Sequence, residues 1–166
     1  MAIFMHTRAY ETNRKRPVKK QTDPRMHSAE HILNQTMDRM FKCGRCFNAH
    51  IEKKKSKCDY RFDRELTRQE LAEIQTRVNQ VLAEDLPVTE AHVSRSEALR
   101  KYNTEKLPEN AGDTLRIIHI GDYDACPCIG THVESTGEIP GFKITSTSYD
   151  NMVLRIRFKL ESPNEA

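Results

Sequence analysis

Two short segments constrain this chain more than anything else in it. His27-Ser28-Ala29-Glu30-His31 and Cys128-Ile129-Gly130-Thr131-His132 each place two strong metal ligands four residues apart, with about a hundred residues between the pairs. One ion held by both pairs demands a fold that brings these distant segments together. Three imidazoles and one thiolate suit a tetrahedral zinc, and spacing leaves open whether the fourth position belongs to protein or to substrate.

The first pair is predicted to lie on a helix over residues 27–41. Ala29, Ile32, Leu33, Thr36 and Met40 form its apolar stripe, and His27, His31, Asn34 and Asp38 lie on the opposite side. Helical residues four apart carry Cβ atoms about 5–6 Å from each other, so one ion can take both imidazoles. The second pair reads as a loop. Cys128 follows Pro127, and Gly130 permits a tight turn that lets thiolate and imidazole converge. In the HExxH metalloproteases the glutamate directly follows the first histidine. Here Ser28 has that place, and Glu30 projects about a quarter turn away from the histidines, which points to a surface or supporting role rather than a base. Cys126 is an alternative ligand in a Cys/Cys/His/His set.

Residues 1–24 lack periodicity and read as a basic N-terminal extension punctuated by Pro17 and Pro24; residues 25–166 read as one domain. Cys43-Gly44-Arg45-Cys46 ends the first helix. The helix dipole has the wrong sign for a redox dithiol there, and Cys58 is expected to be buried packing. Thr67-Arg68-Gln69-Glu70 is a capping box, followed by Leu71, Ile74, Val78, Val81 and Leu82 at helical spacing to about Leu86. Strands are expected at 47–52, 58–63, 88–93, 115–120, 142–148 and 154–160, with a short helix at 94–100. His50, His92 and His119 fall in these strands and read as structural. The order of elements gives an α+β fold: a curved, mostly antiparallel sheet packed by two main helices.

No apolar run is long enough to cross a membrane. With no targeting segment and an odd count of five cysteines, the chain is expected in the cytoplasm with reduced or metal-bound thiols. The net charge is only +3, but it is unevenly placed. Arg14–Lys20 and Lys53–Lys57 are basic runs, and Arg155, Arg157 and Lys159 alternate with Leu154, Ile156 and Phe158 on the last strand. Lys53, Lys54, Lys55, Lys57, Arg155 and Arg157 are therefore candidate contacts to nucleic-acid phosphates.

HSAEHIL, together with CIGTHVESTGEIPGFKITSTS, closely resembles the editing domain of alanyl-tRNA synthetases and its freestanding relatives, the AlaX proteins. The same domain type recurs in threonyl-tRNA synthetases as the second additional domain. YRFDRELTRQELAEIQTRVNQVLAEDLPV and LRIIHIGDYDAC extend the resemblance over about residues 26–160. It implies one zinc per chain, held by His27, His31, Cys128 and His132. It also implies hydrolysis, in trans, of the ester joining a wrong amino acid to the tRNA 3′ adenosine. Serine or glycine on alanine tRNA is the expected cargo, and mischarged threonine tRNA the alternative. No aminoacylation domain accompanies the motifs, which resembles the short freestanding type. Ser28 and Thr131 are candidates for hydrogen-bonding the aminoacyl group, and the backbone N–H groups around Gly130 for stabilising an oxyanion.

The family commonly reads Cys-Gly-Gly-Thr-His, and Ile129 replaces the first glycine here. A branched side chain there is expected to alter the pocket or the loop's backbone angles. It keeps open a non-catalytic tRNA-binding module with a structural zinc, and beyond that a zinc-stabilised interaction protein with no RNA role.

Overall fold

The computed structural model describes residues 22–162. Residues 1–21 of the expected extension, with the Arg14–Lys20 run, lie outside the described residues. The last of the expected extension belongs instead to the first helix, α1 (Pro24–Phe41), which Asp23 caps by accepting from the Arg25 and Met26 amides. Proline suits that first position because its missing N–H has no intrahelical partner to lose.

Helix α1 buries its apolar stripe, but its polar side is buried too. His31, Asn34 and Glu30 are as hidden as Ile32 and Leu33. Helix α2 (Arg68–Ala83) starts at the expected capping box, with Thr67 and Glu70 each bonding the other's backbone. It sends Ile74, Val78, Val81 and Leu82 into the main core beside Met26, Ile32 and Leu33. It stops short of Leu86 because Asp85 turns into the left-handed region at φ 51°.

The strands are all antiparallel but form two sheets. One contains β1 (Asn48–His50), β2 (Ser56–Arg61), β6 (Phe142–Asp150) and β7 (Val153–Leu160), in the order β1-β2-β7-β6. The other contains β3 (Val88–Ser94), β4 (Thr114–Ile120) and β5 (Asp124–Pro127), in the order β3-β4-β5. Both edges of β4 are occupied, by β3 and by the hairpin partner β5, so its backbone groups have nothing left to offer the first sheet. Helix α3 (Arg95–Lys101) lies on this second sheet over a small cluster of Ala98, Leu115 and Ile117.

Strand β7 alternates as expected, with Leu154, Ile156 and Phe158 buried. Arg155 departs from its expected role. It stands across from Asp59 on β2 and grips that carboxylate with bonds of 2.7 and 2.9 Å, so its charge is offset within the sheet rather than offered to phosphates. Arg157 donates to Ser148 Oγ at 3.4 Å. Among the described residues no helix is long and apolar enough to cross a membrane.

Candidate metal centre

Helix α1 packs against β5, and this contact assembles the site. His27 and His31 come from successive turns of α1. Cys128 and His132 come from the loop that leaves β5. Their four ligand atoms all lie within 4.8 Å of one another, a group able to hold a metal ion. Cys128 Sγ is 3.5 Å from His27 Nε2. The His132 ring stacks on His27 at 4.2 Å, and His31 stands edge-on to both.

Each ring is held from behind by its other nitrogen. His27 Nδ1 meets the Thr131 carbonyl at 3.1 Å, and His132 Nδ1 meets Ser28 Oγ at 2.9 Å. His31 Nδ1 lies 3.4 Å from Asp124 Oδ2, at ion-pair distance but off hydrogen-bond alignment. Asp124 is itself held by two bonds from Arg45, at 2.7 and 3.2 Å. Such contacts fix ring orientation and leave the Nε2 atoms for a metal. His132 Nε2 is buried with no hydrogen-bond partner in the protein. An orphaned imidazole nitrogen beside a thiolate is what a bound metal satisfies.

The electrostatics agree. Burial raises the Cys128 pKa, but the imidazoles of His132, His27 and His31 clustered around the thiol outweigh it and bring it down to about 3. Burial alone would depress His31, yet Asp124 and Cys128 push it up to about 9. Burial lowers His132. A thiolate ringed by imidazoles is the ligand chemistry of a zinc site.

The group opens on a cavity of about 400 Å³, whose wall includes Glu30, Asn34, Arg45, Cys46, Lys106 and Cys126. Glu30 is the main surprise. It is buried, with Oε2 3.8 Å from His27 Nε2 and 3.9 Å from His31 Nε2. Asn34 donates to its other oxygen at 2.7 Å. Burial raises its pKa, but His31, His27 and more distant Arg45 and Lys106 hold it below the ordinary value. Of the two roles expected for it, the surface one fails and the supporting one remains. A long side chain leaning toward the helix N-terminus brings the carboxylate back over the histidines.

All five cysteines are free thiols. Cys126 stays outside the ligand group, its thiol pushed by burial up to about 12. Burial takes Cys43 up to about 11. Cys58 is buried as expected but stands beside Cys46, and with Glu30 the two sulfurs form a second group close enough to hold an ion. Lys106 Nζ reaches Cys46 Sγ at 3.3 Å.

The residues expected to touch substrate behave differently. Ser28 is fully buried, with Oγ taken by His132 Nδ1 and the Val133 amide, so it supports a ligand rather than the aminoacyl group. The Gly130 amide points at Cys128 Sγ at 3.4 Å, which directs it to the thiolate rather than an oxyanion. Thr131 is exposed and contributes its carbonyl to His27. Ile129 is 88% exposed and not in the left-handed region, so it neither fills the cavity nor strains the loop. Lys53, Lys54 and Lys55 are exposed between β1 and β2, and Lys57 is half-buried on β2.

Sequence reasoning missed Asp124, Arg45 and Lys106 as parts of the site. None has a spacing tied to the His/Cys pairs, and only the packing of α1 on β5 joins Asp124 and Arg45 to them.

Residues 115–157 match the family model described as the threonyl and alanyl tRNA synthetase second additional domain. The alanine–tRNA ligase of Fervidobacterium nodosum is 31% identical over 132 residues, covering 79% of this chain and 15% of that protein. That of Methanopyrus kandleri is 31% identical over 142 residues, covering 81% of the chain and 15% of the ligase. That of Halorhodospira halophila is 33% identical over 127 residues, covering 72% and 14%. The chain thus spans about 15% of the length of these relatives.

Proposed function

The chain belongs to the second-additional-domain family of threonyl and alanyl tRNA synthetases, a tRNA editing domain, and from that premise we propose that it hydrolyses, in trans, the ester linking a wrong amino acid to the 3′ end of tRNA. Serine or glycine on alanine tRNA is the cargo this reading favours. The observation that carries it is the convergence of His27, His31, Cys128 and His132 into one ligand group, three of which (His27, His31 and Cys128) line the 400 Å³ cavity. A space of that size is ample for a small aminoacyl group with part of its ribose.

In this reading those four residues hold one zinc. A zinc ion supplies Lewis acidity to the reacting carbonyl and water. The protein's own part is preorganisation. The Thr131 carbonyl, Ser28 and Asp124 keep the rings fixed, and Gly130 and the imidazoles hold Cys128 as a thiolate. Lys106 and Arg45 line the chamber, but they are held there by Cys46 and Asp124, so phosphate contacts are expected outside it. Lys53, Lys54, Lys55, Lys57 and Arg157 are the proposed phosphate contacts. Ile129, the feature that kept a non-catalytic module open, does not crowd the chamber.

The test is a deacylation panel with the 166-residue chain. Serine-, glycine- and alanine-charged alanine tRNA and serine-charged threonine tRNA are incubated with the protein, with and without chelator. The expected result is a shortened half-life for the serine or glycine ester on alanine tRNA, restored by chelation. Unchanged half-lives in every lane reject the proposal, and tRNA binding without hydrolysis replaces it with the binding-module reading.

A further inference from the structure

We propose that Glu30 receives the substrate's α-ammonium group, so that the chamber accepts esters of free amino acids and rejects N-acylated ones. This rests on the deacylase reading and adds the feature of the substrate that the chamber selects.

An aminoacyl ester carries one fixed positive charge close to its scissile bond, the α-ammonium. An enclosed site that admits it needs an anion, because an unpaired buried charge is strongly disfavoured. Five carboxylates lie in or near the chamber, one of them Asp23, which lines the neighbouring depression and is paired with Arg25. Asp124 is behind the ligand group, occupied by two bonds from Arg45. Glu105 is on the exposed outer loop. Glu52 lines the neighbouring depression, not this one. Glu30 remains: it is buried, it lines the cavity, and it stands against the His27 and His31 nitrogens.

Its two oxygens are used unequally. Oε1 accepts from Asn34 at 2.7 Å and faces Cys46 Sγ at 3.5 Å, which anchors the carboxylate. Asn34 is in turn fixed, its carbonyl oxygen accepting from Tyr60 Oη at 2.8 Å and from the Cys46 amide at 3.1 Å. Among the described residues Oε2 accepts no hydrogen bond; the His27 and His31 nitrogens stand 3.8 and 3.9 Å from it, beyond hydrogen-bond length. No lysine or arginine nitrogen among the described residues is within ion-pair distance of Glu30; the nearby cations are spent, Arg45 on Asp124 and Lys106 on Cys46. The result is a rigid, buried carboxylate with one oxygen open to the cavity beside the metal-ligand group. An ammonium placed there makes a charge-assisted hydrogen bond, and an amide nitrogen from N-acylation offers no charge and adds a bulky acyl group.

The experiment measures binding, not turnover. The zinc-loaded 166-residue chain is titrated calorimetrically with two non-hydrolysable amides of 3′-amino-3′-deoxyadenosine. One carries seryl, and the other carries the same acyl group with hydrogen in place of the α-amine. The wild type is expected to bind the seryl compound at least about tenfold more tightly, and Glu30→Gln to lose that preference while keeping the wild-type metal content. N-acetylseryl-tRNA is expected to outlast seryl-tRNA in the deacylation panel. Equal wild-type affinity for the two amides, or a preference that survives in Glu30→Gln, overturns this inference and leaves the deacylase reading standing. Failure to bind either amide overturns both. Should Glu30→Gln lose its metal, the wild-type comparison of the two ligands decides alone.

Discussion

Gly130 and Ser28 show how a candidate metal site depends on residues outside its ligand set. Gly130 has an ordinary backbone angle, so its glycine is not there for flexibility, as the sequence suggested, but for space. A Cβ built on it would stand 2.7 Å from His27 Nδ1 and closer still to the ring carbon beside it. Gly130→Ala must push His27 out of position. We expect zinc affinity to fall at least about tenfold, read by chelator competition, with little change in the circular dichroism of the fold. Ser28→Ala removes the hydrogen bond that orients His132 and leaves the buried Val133 amide without its acceptor. Its zinc affinity is expected to drop about 10–100-fold, and its unfolding free energy by about 1–3 kcal/mol, measured by urea titration. Equal zinc affinity in either variant would refute the supporting role. The ligand pairs themselves were legible because spacing on a helix and around a tight loop is local. Glu30 was not, because a projection fixes where Cα lies, while the rotatable bonds of the side chain decide where the carboxylate ends.

At the level of elements, legibility followed the strength of the local pattern. The Thr67–Glu70 box fixed the start of α2, and the strict alternation of Leu154, Ile156 and Phe158 fixed the inner face of β7. Strand β5 went unread: four residues, Asp124-Ala125-Cys126-Pro127, have no alternation to show, and it forms only because the β4 edge receives it. The division into two sheets was hidden for the same reason, since pairing partners are a long-range property. Arg155 is the instructive case. Its alternation was right, but its partner Asp59 lies 96 residues away. The pair spans β2 and β7 and gives a pH prediction. Arg155 holds the buried Asp59 carboxyl below its ordinary value. A group depressed in the folded state contributes fully above its unfolded pKa of about 3.9, and that contribution is lost as pH falls through the lower folded value. Wild-type stability, followed by urea midpoint from pH 7 to pH 3, should therefore fall on acidification through this window. Asp59→Asn should start lower at pH 7 and lose less over the same range. A parallel acid limb in the two proteins would remove Asp59 from the account.

On the scale of the whole molecule, the proposal of a tRNA-binding face rests on the position of the basic loop relative to the chamber. A surface depression lined by Arg25, Ile51, Lys53 and Lys54 shares two of its lining residues, Thr22 and Ile51, with the metal chamber. The lysine loop therefore borders the chamber's mouth, along the path an acceptor strand would follow when its last nucleotide enters. Phosphate contacts release counterions, so affinity depends steeply on salt, with a slope of about 0.7–0.9 per phosphate neutralised. Replacing Lys53, Lys54 and Lys55 together by alanine should weaken tRNA binding most at low salt and flatten the slope by about 2, from filter binding between 50 and 200 mM salt. The same variant should bind the seryl amide of 3′-amino-3′-deoxyadenosine as the wild type does, because that ligand fills the chamber and carries no phosphate. A loss of both affinities would mean that the loop shapes the chamber itself. An unchanged salt slope would move the acceptor strand to another face, with Arg157 on β7 the next position to test.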